Sequence, residues 1–145
     1  ALLLEGGAEG LKLLKDILPT LILLLTAVEL FRASGAADLL QRLCAPLFSR
    51  LGIPAECAVL VLIRPISGSA ALAVGTDLMR TYGVDSQIGR TAAVMLGSTE
   101  TTFYTISVYF GAAGIQRTRY TLPAALFADL VGFTAAAWTA KLFFE

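Results

Sequence analysis

The sequence predicts an all-α fold: a polytopic helical membrane protein whose helices are broken or re-entrant. Three observations predict it. Hydrophobic residues make up 57% of the 145 and charged residues 15%, against roughly 45–50% and about 25% in soluble domains. A soluble chain this short has much surface for its volume and should be more polar, so the excess calls for a second apolar phase. Apolar stretches are interrupted by two polar elbows, Arg64-Pro65-Ile66-Ser67-Gly68-Ser69 and Gly97-Ser98-Thr99-Glu100-Thr101-Thr102. Irregular backbone is tolerated at membrane depth only against protein or a watery cavity. Arg64, Glu100 and Asp129 stand within these stretches, where a charge is costly and marks a functional candidate by default. A soluble helical protein buried in an oligomer is the alternative that composition leaves open.

No linker divides the chain, so residues 1–145 read as one domain. It opens Ala-Leu-Leu-Leu without the basic region of a signal peptide. Charges between Glu9 and Asp16 give way to the uncharged run Ile17–Val28, so Leu11–Phe31 is long enough to span, with Pro19 tolerated inside it. Ser34-Gly35 ends this helix. Asp38–Leu51 places Leu39, Leu40, Leu43, Leu47, Phe48 and Leu51 at helical spacing, which suits a helix in the interface plane or a surface helix on an apolar core. Pro46 is expected to bend or break it.

Gly52-Ile53-Pro54 is a turn, with Pro54 placed to start the next helix. Ala55–Ile63 is apolar but too short to span, and Arg64-Pro65 stops it. The next apolar stretch, Ala70–Val74, runs out at Asp77–Arg80. Half-helix, elbow and half-helix make a re-entrant hairpin or a broken span. Asp85 or Ser86 caps a short helix over Gln87–Leu96, Gly97 permits the second break, and Phe103–Ile115 follows, uncharged and rich in aromatics. Arg117, Arg119 and Tyr120 form the last polar loop. Pro123–Phe144 is the clearest spanning segment, with Trp138, Phe143 and Phe144 at the level of an aromatic belt and Lys141 free to snorkel. Arginines on nearly every loop leave the orientation open.

Little enzymatic chemistry is available. Histidine is absent, which removes the commonest general base and metal ligand. Neither a phosphate-binding loop nor a dinucleotide fingerprint occurs, so neither a catalytic residue nor a cofactor is expected. Cys44 and Cys57 form no zinc or redox pattern, so no metal is expected and both read as small apolar residues. With a formal net charge of zero and no basic stripe, nucleic acid is excluded as a partner. What remains is a binding site for a small polar solute or ion. Glu100 with the hydroxyls of Ser98, Thr99, Thr101 and Thr102, and Ser67 and Ser69 at the other elbow, supply donors and acceptors. Arg64 near Glu100 or Asp129 would balance charge, and the same residues read equally as a structural ion pair and helix-to-helix bonds. Glu29, beside Arg32 near a helix end, reads as interfacial.

Over nearly its whole length the chain resembles the spore maturation protein B family of nucleoside-recognition, or gate, membrane proteins. The stretches that carry the resemblance are Glu5–Lys12, Glu29–Ala36, Leu62–Leu72 (LIRPISGSAAL), Gly97–Ile115 (GSTETTFYTISVYFGAAGI) and Leu126–Phe133 (LFADLVGF). The resemblance implies a bacterial cell-membrane protein linked to dehydration of the spore core, with a spore maturation protein A-like partner or a homo-oligomer. It also implies a further apolar helix ahead of Glu5. A more distant similarity is to concentrative nucleoside transporters, whose small–Gln–Thr–Glu motif Gly97-Ser98-Thr99-Glu100 matches except at Ser98. A transporter-like protein with two meeting helix breaks is the expectation. A non-transporting membrane scaffold is its rival.

Overall fold

A computed structural model of the chain describes residues 2–144, with the side chains of residues 2–5, 13, 17, 20, 21 and 24 outside the description. The described residues form seven α-helices and one 3-10 turn, and no strand. Helix α1 covers Leu2–Ala33 and α2 Ala36–Leu51; the 3-10 turn Ala55–Cys57 leads into α3, Ala58–Ile63. Then follow α4 (Gly68–Tyr82), α5 (Gln87–Ser98), α6 (Thr102–Ala112) and α7 (Thr121–Phe144). The helical class and the main boundaries agree with the sequence reading. The expected span Leu11–Phe31 lies within α1, and part of its apolar face falls outside the described side chains.

Local chemistry sets the boundaries. Gly35, at φ 76°, turns the chain between α1 and α2. Ser67 caps α4 by accepting from the Ala70 amide at 3.3 Å, and Ser86 caps α5 by accepting from the Gly89 amide at 3.0 Å. Each satisfies an amide that a helix start leaves orphaned. Two details differ from the sequence reading. Pro46 was expected to bend or break α2, and it does not break it: α2 is helical from Ala36 to Leu51. The second break falls within Gly97–Thr102 as expected but does not start at Gly97, because α5 continues to Ser98 and the chain first becomes extended at Thr99.

Helix α2 ends at Gly52, whose φ of 74° lets the Ile53 amide reach back to the Phe48 carbonyl at 3.0 Å. Here a side chain meets a double obstacle: a Cβ would stand 2.8 Å from Trp138 Nε1, the atom that donates to the Leu51 carbonyl at 2.9 Å. Gly52→Ala is therefore expected to cost about 2 kcal/mol, from left-handed strain and displacement of the indole, read as a lowered melting temperature in detergent.

Helix α5 is central, packed between α4 and α7, while α1 lies on α4 and α6 lies on α7. The core joins Phe48, Leu60, Leu78, Met95 and Phe133 to a set of buried alanines (Ala58, Ala71, Ala92, Ala136, Ala137). Small side chains let the helix axes approach closely. The leucine stripe expected on α2 divides: Phe48 is buried and Leu40 and Leu51 are half-buried, while Leu39, Leu43 and Leu47 are exposed. Large apolar residues also cover the outside of α7, with Phe127 67% and Leu142 80% exposed. Arg64, Asp77, Thr91 and Thr102 are buried instead. Both cysteines are free thiols, Cys57 buried and Cys44 half-buried.

Among the described residues, one helix, α7, is long and apolar enough to cross a membrane. At 24 residues it is about 36 Å long, against a hydrocarbon core of about 30 Å. A second span results if α2 and Ala55–Ile63, bent by 117° at their break, count together. The sequence reading placed the broken span differently, joining Ala55–Ile63 to the stretch after the elbow. Gly52 makes the difference by folding α2 back onto the helix that follows.

Candidate functional site

The first break follows from Pro65, which has no amide to donate. Arg64 closes α3 with a bond to the Leu60 carbonyl at 2.9 Å, and the Ile66 and Ser67 amides both return to the Ile63 carbonyl at 2.9 Å. Ser67 is then extended and starts α4, and its hydroxyl lies 3.4 Å from that of Ser69. The second break spans Thr99–Thr101, with Thr99 (φ −136°, ψ 163°) and Thr101 (φ −75°, ψ 94°) both extended. Thr101 precedes α6 without capping it through its side chain.

The two breaks are docked on each other. The Phe103 amide donates to the Pro65 carbonyl at 3.0 Å. Gly68 lies under Thr101, whose Oγ1 would stand 2.8 Å from a Cβ there, with Arg64 Nη1 at 3.6 Å. Arg64 is 7% exposed. Its Nη2 donates to the Leu96 carbonyl at 2.9 Å and to the Thr99 carbonyl. Both acceptors belong to the last turn of α5 and its cap, where the helix leaves carbonyls unpaired and carries partial negative charge. Arg64 Nε and Thr99 Oγ1 are buried without a hydrogen-bond partner.

The expected pairing of Arg64 with Glu100 or Asp129 does not form among the described residues. The carbonyl end of α5 takes the place of a carboxylate. Glu100 is exposed and makes no hydrogen bond or ion pair among the described residues. Ser98 turns back to its own helix, donating to the Met95 carbonyl at 3.1 Å. Thr102 is buried and donates to Asp129 Oδ2, tying α6 to α7. Thr99 leans on α7 at Gly132, where a Cβ would lie 2.9 Å from its methyl. Arg64, Ser67, Thr99 and Thr101 thus share one junction, while Asp129 and Thr102 border it and Glu100 and Ser69 stand at its exposed rim.

Beside the junction is an open cavity of about 280 Å³, lined by Val61, Leu62, Pro65, Ile66, Phe103, Leu126, Leu130, Phe133 and the single carboxylate of Asp129. No group of three or more potential metal ligands occurs among the described residues.

The family model for nucleoside recognition, Gate, matches residues 14–116, a stretch that contains both helix breaks. The chain belongs to this family. It is 51% identical over 140 residues to spore maturation protein B of Bacillus subtilis strain 168, an alignment covering 97% of this chain and 79% of the relative. The resemblance seen in the sequence to the spore maturation protein B family therefore holds. No solved structure matches the chain. The family match ends before α7, so Asp129 and the wall of the cavity that α7 supplies lie beyond it.

A second charged cluster went unread in the sequence. Asp77, buried on α4, accepts from Arg32 Nη1 at 2.6 Å and from Arg80 Nη2 at 3.2 Å. Arg32 also donates to Thr81 at 2.8 Å, and Arg80 pairs with Glu29. The signal was present as two acid-to-base steps of three residues, Glu29–Arg32 and Asp77–Arg80. Each pair lies on one face of its helix, and the two join crosswise between α1 and α4.

Proposed function

We propose that the chain is an integral protein of the bacterial cell membrane that binds a small polar solute or ion at the docked helix breaks and moves it across. The observation that carries the reading is the junction itself: two interruptions of apolar helices held together by the Phe103–Pro65 bond, with Arg64 Nε and Thr99 Oγ1 buried and unpaired. Broken helices that meet around unsatisfied polar groups are how membrane transporters build solute sites. The apolar exterior of α7 supports the membrane placement. The Gate family's nucleoside recognition adds the expectation of a polar organic solute. Residues with catalytic geometry are not part of this reading, and the role is non-enzymatic.

In this reading Glu100 selects the solute at the exposed rim, and Arg64 and Thr99 line the inner side. The chain works as a homo-oligomer or with a spore maturation protein A-like partner. Its place in spore maturation follows its relative's name. The test is flux in proteoliposomes together with thermal stability of the purified protein against nucleosides, small anions and divalent cations, since a ligand of the folded state raises apparent stability by about 2.7 kcal/mol at 100 times Kd. Glu100→Gln should abolish flux and the stabilisation while leaving membrane insertion intact. Unchanged flux in that variant would sink the assignment of Glu100.

A scaffold that only supports a partner is the second reading, favoured by one observation: Glu100 is exposed and unpaired among the described residues, as an assembly contact would be. In that case Glu100→Gln dissociates the complex before any solute effect is seen, and stabilisation comes from the partner and from no solute.

A further inference from the structure

Among the described residues Asp129 has no charged partner. It stands eight residues into α7 from Thr121, about 12 Å along the helix, well inside the segment that is apolar enough to span. One carboxylate oxygen accepts from the Thr102 hydroxyl. The other, Oδ1, has no partner among the described residues, and none of the ion pairs includes Asp129. Its carboxylate is the single charge in the lining of the 280 Å³ cavity.

We propose that this cavity is a binding site for a small organic cation: a primary ammonium with an apolar body of a few carbons. Three features select that chemistry. A carboxylate at depth needs a positive partner to offset its desolvation, and Arg64, the partner that the sequence suggests, is committed to the α5 carbonyls. The rest of the lining is apolar, including Phe103 and Phe133, so an ammonium on an alkyl chain buries its body while the ring faces add cation–π attraction. A hard metal ion fits poorly, because it takes about six or more oxygen ligands. Here the Thr102 proton already points at Asp129 and the Pro65 carbonyl is taken by Phe103. The volume of about 280 Å³ falls just below the roughly 300–1,000 Å³ of drug-sized ligand pockets, which suits a ligand of a few carbons. The depth of Asp129 along α7 argues against a lipid headgroup as the occupant.

The cavity borders the junction but its lining does not include Glu100, Arg64 or Thr99, so the two sites fail separately. The test uses the full chain purified in detergent, with n-butylammonium as probe and n-butanol and butyrate as controls, followed by melting temperature and calorimetric titration. Butylammonium should raise the melting temperature saturably, with n-butanol and butyrate at least about tenfold weaker. Asp129→Asn should abolish the response. Leu126→Trp, which adds bulk to the cavity lining and leaves the carboxylate in place, should abolish it too if Asp129→Asn proves too unstable to purify. Glu100→Gln should retain it. Equal stabilisation by amine and alcohol would reduce the site to an apolar groove and overturn the proposal. A response that survives both Asp129→Asn and Leu126→Trp would overturn it as well. So would an Asp129→Asn variant that changes oligomeric mass with its amine response intact, since the carboxylate would then be an assembly contact.

Discussion

Replacing Arg64 by methionine should destabilise the protein by about 2–3 kcal/mol and abolish solute binding at the junction. Two opposed terms set the size. Methionine keeps most of the apolar stem but removes the bonds from Nη2 to the Leu96 and Thr99 carbonyls. Hydrogen bonds to a charged group are worth about 1.5–3 kcal/mol each. Against this, the substitution also removes Nε, which is buried without a partner and costs about 1–3 kcal/mol as it stands. The loss of two charged bonds outweighs the relief of one orphan. Arg64→Lys should fall between, because an ammonium reaches one carbonyl but lacks the planar fork that serves two. Melting of the three proteins in detergent checks the order, and a methionine variant as stable as the parent would show that Arg64 does not hold the junction.

The second large effect is expected at Asp77. Its side chain is 5% exposed, and Asp77→Ala leaves Arg32, 30% exposed, without its carboxylate. Removing one partner of a buried pair typically costs 3–5 kcal/mol. The partial exposure of Arg32 moves the expectation to the lower end, about 3 kcal/mol. Because Asp77 joins α4 to α1 through Arg32, α1 should also become susceptible to limited proteolysis. The contrast is Glu29→Gln. Glu29 and Arg80 are 52% and 68% exposed, and an exposed pair contributes about 0–1 kcal/mol. Equal effects at Asp77 and Glu29 would mean that burial does not govern this network.

These two sites show where sequence reasoning stopped. Arg64 was visible as a charge inside an apolar stretch, and its cost there was sound physics, yet the partner inferred for it was another charged side chain. Its actual acceptors are main-chain carbonyls at the end of α5, and every residue carries a carbonyl, so no letter marks which ones are free. The Asp77 network left a trace in two matching acid–base steps, but the 45 positions between Arg32 and Asp77 hid their pairing. Pro46 and Gly97 were read by local propensity alone, and the helices continue through both. The turn is made at Thr99, where the chain leans against Gly132 of α7.

By itself the sequence determined the helical class, a cap at Asp85 or Ser86, the turns at Gly35 and Gly52, the two elbows and the apolar final helix. All of these depend on interactions within a few residues: a hydroxyl reaching an amide three positions on, a glycine at positive φ, a proline without an amide. The tertiary structure alone decided that the elbows dock through Phe103 and Pro65, that Arg64 closes the end of α5, that Asp129 lines a cavity and accepts from Thr102, and that the sharply bent pair is α2 with Ala55–Ile63. Those depend on which helix faces meet, and the lack of a side chain at Gly68 and Gly132 permits the meeting without specifying the partner.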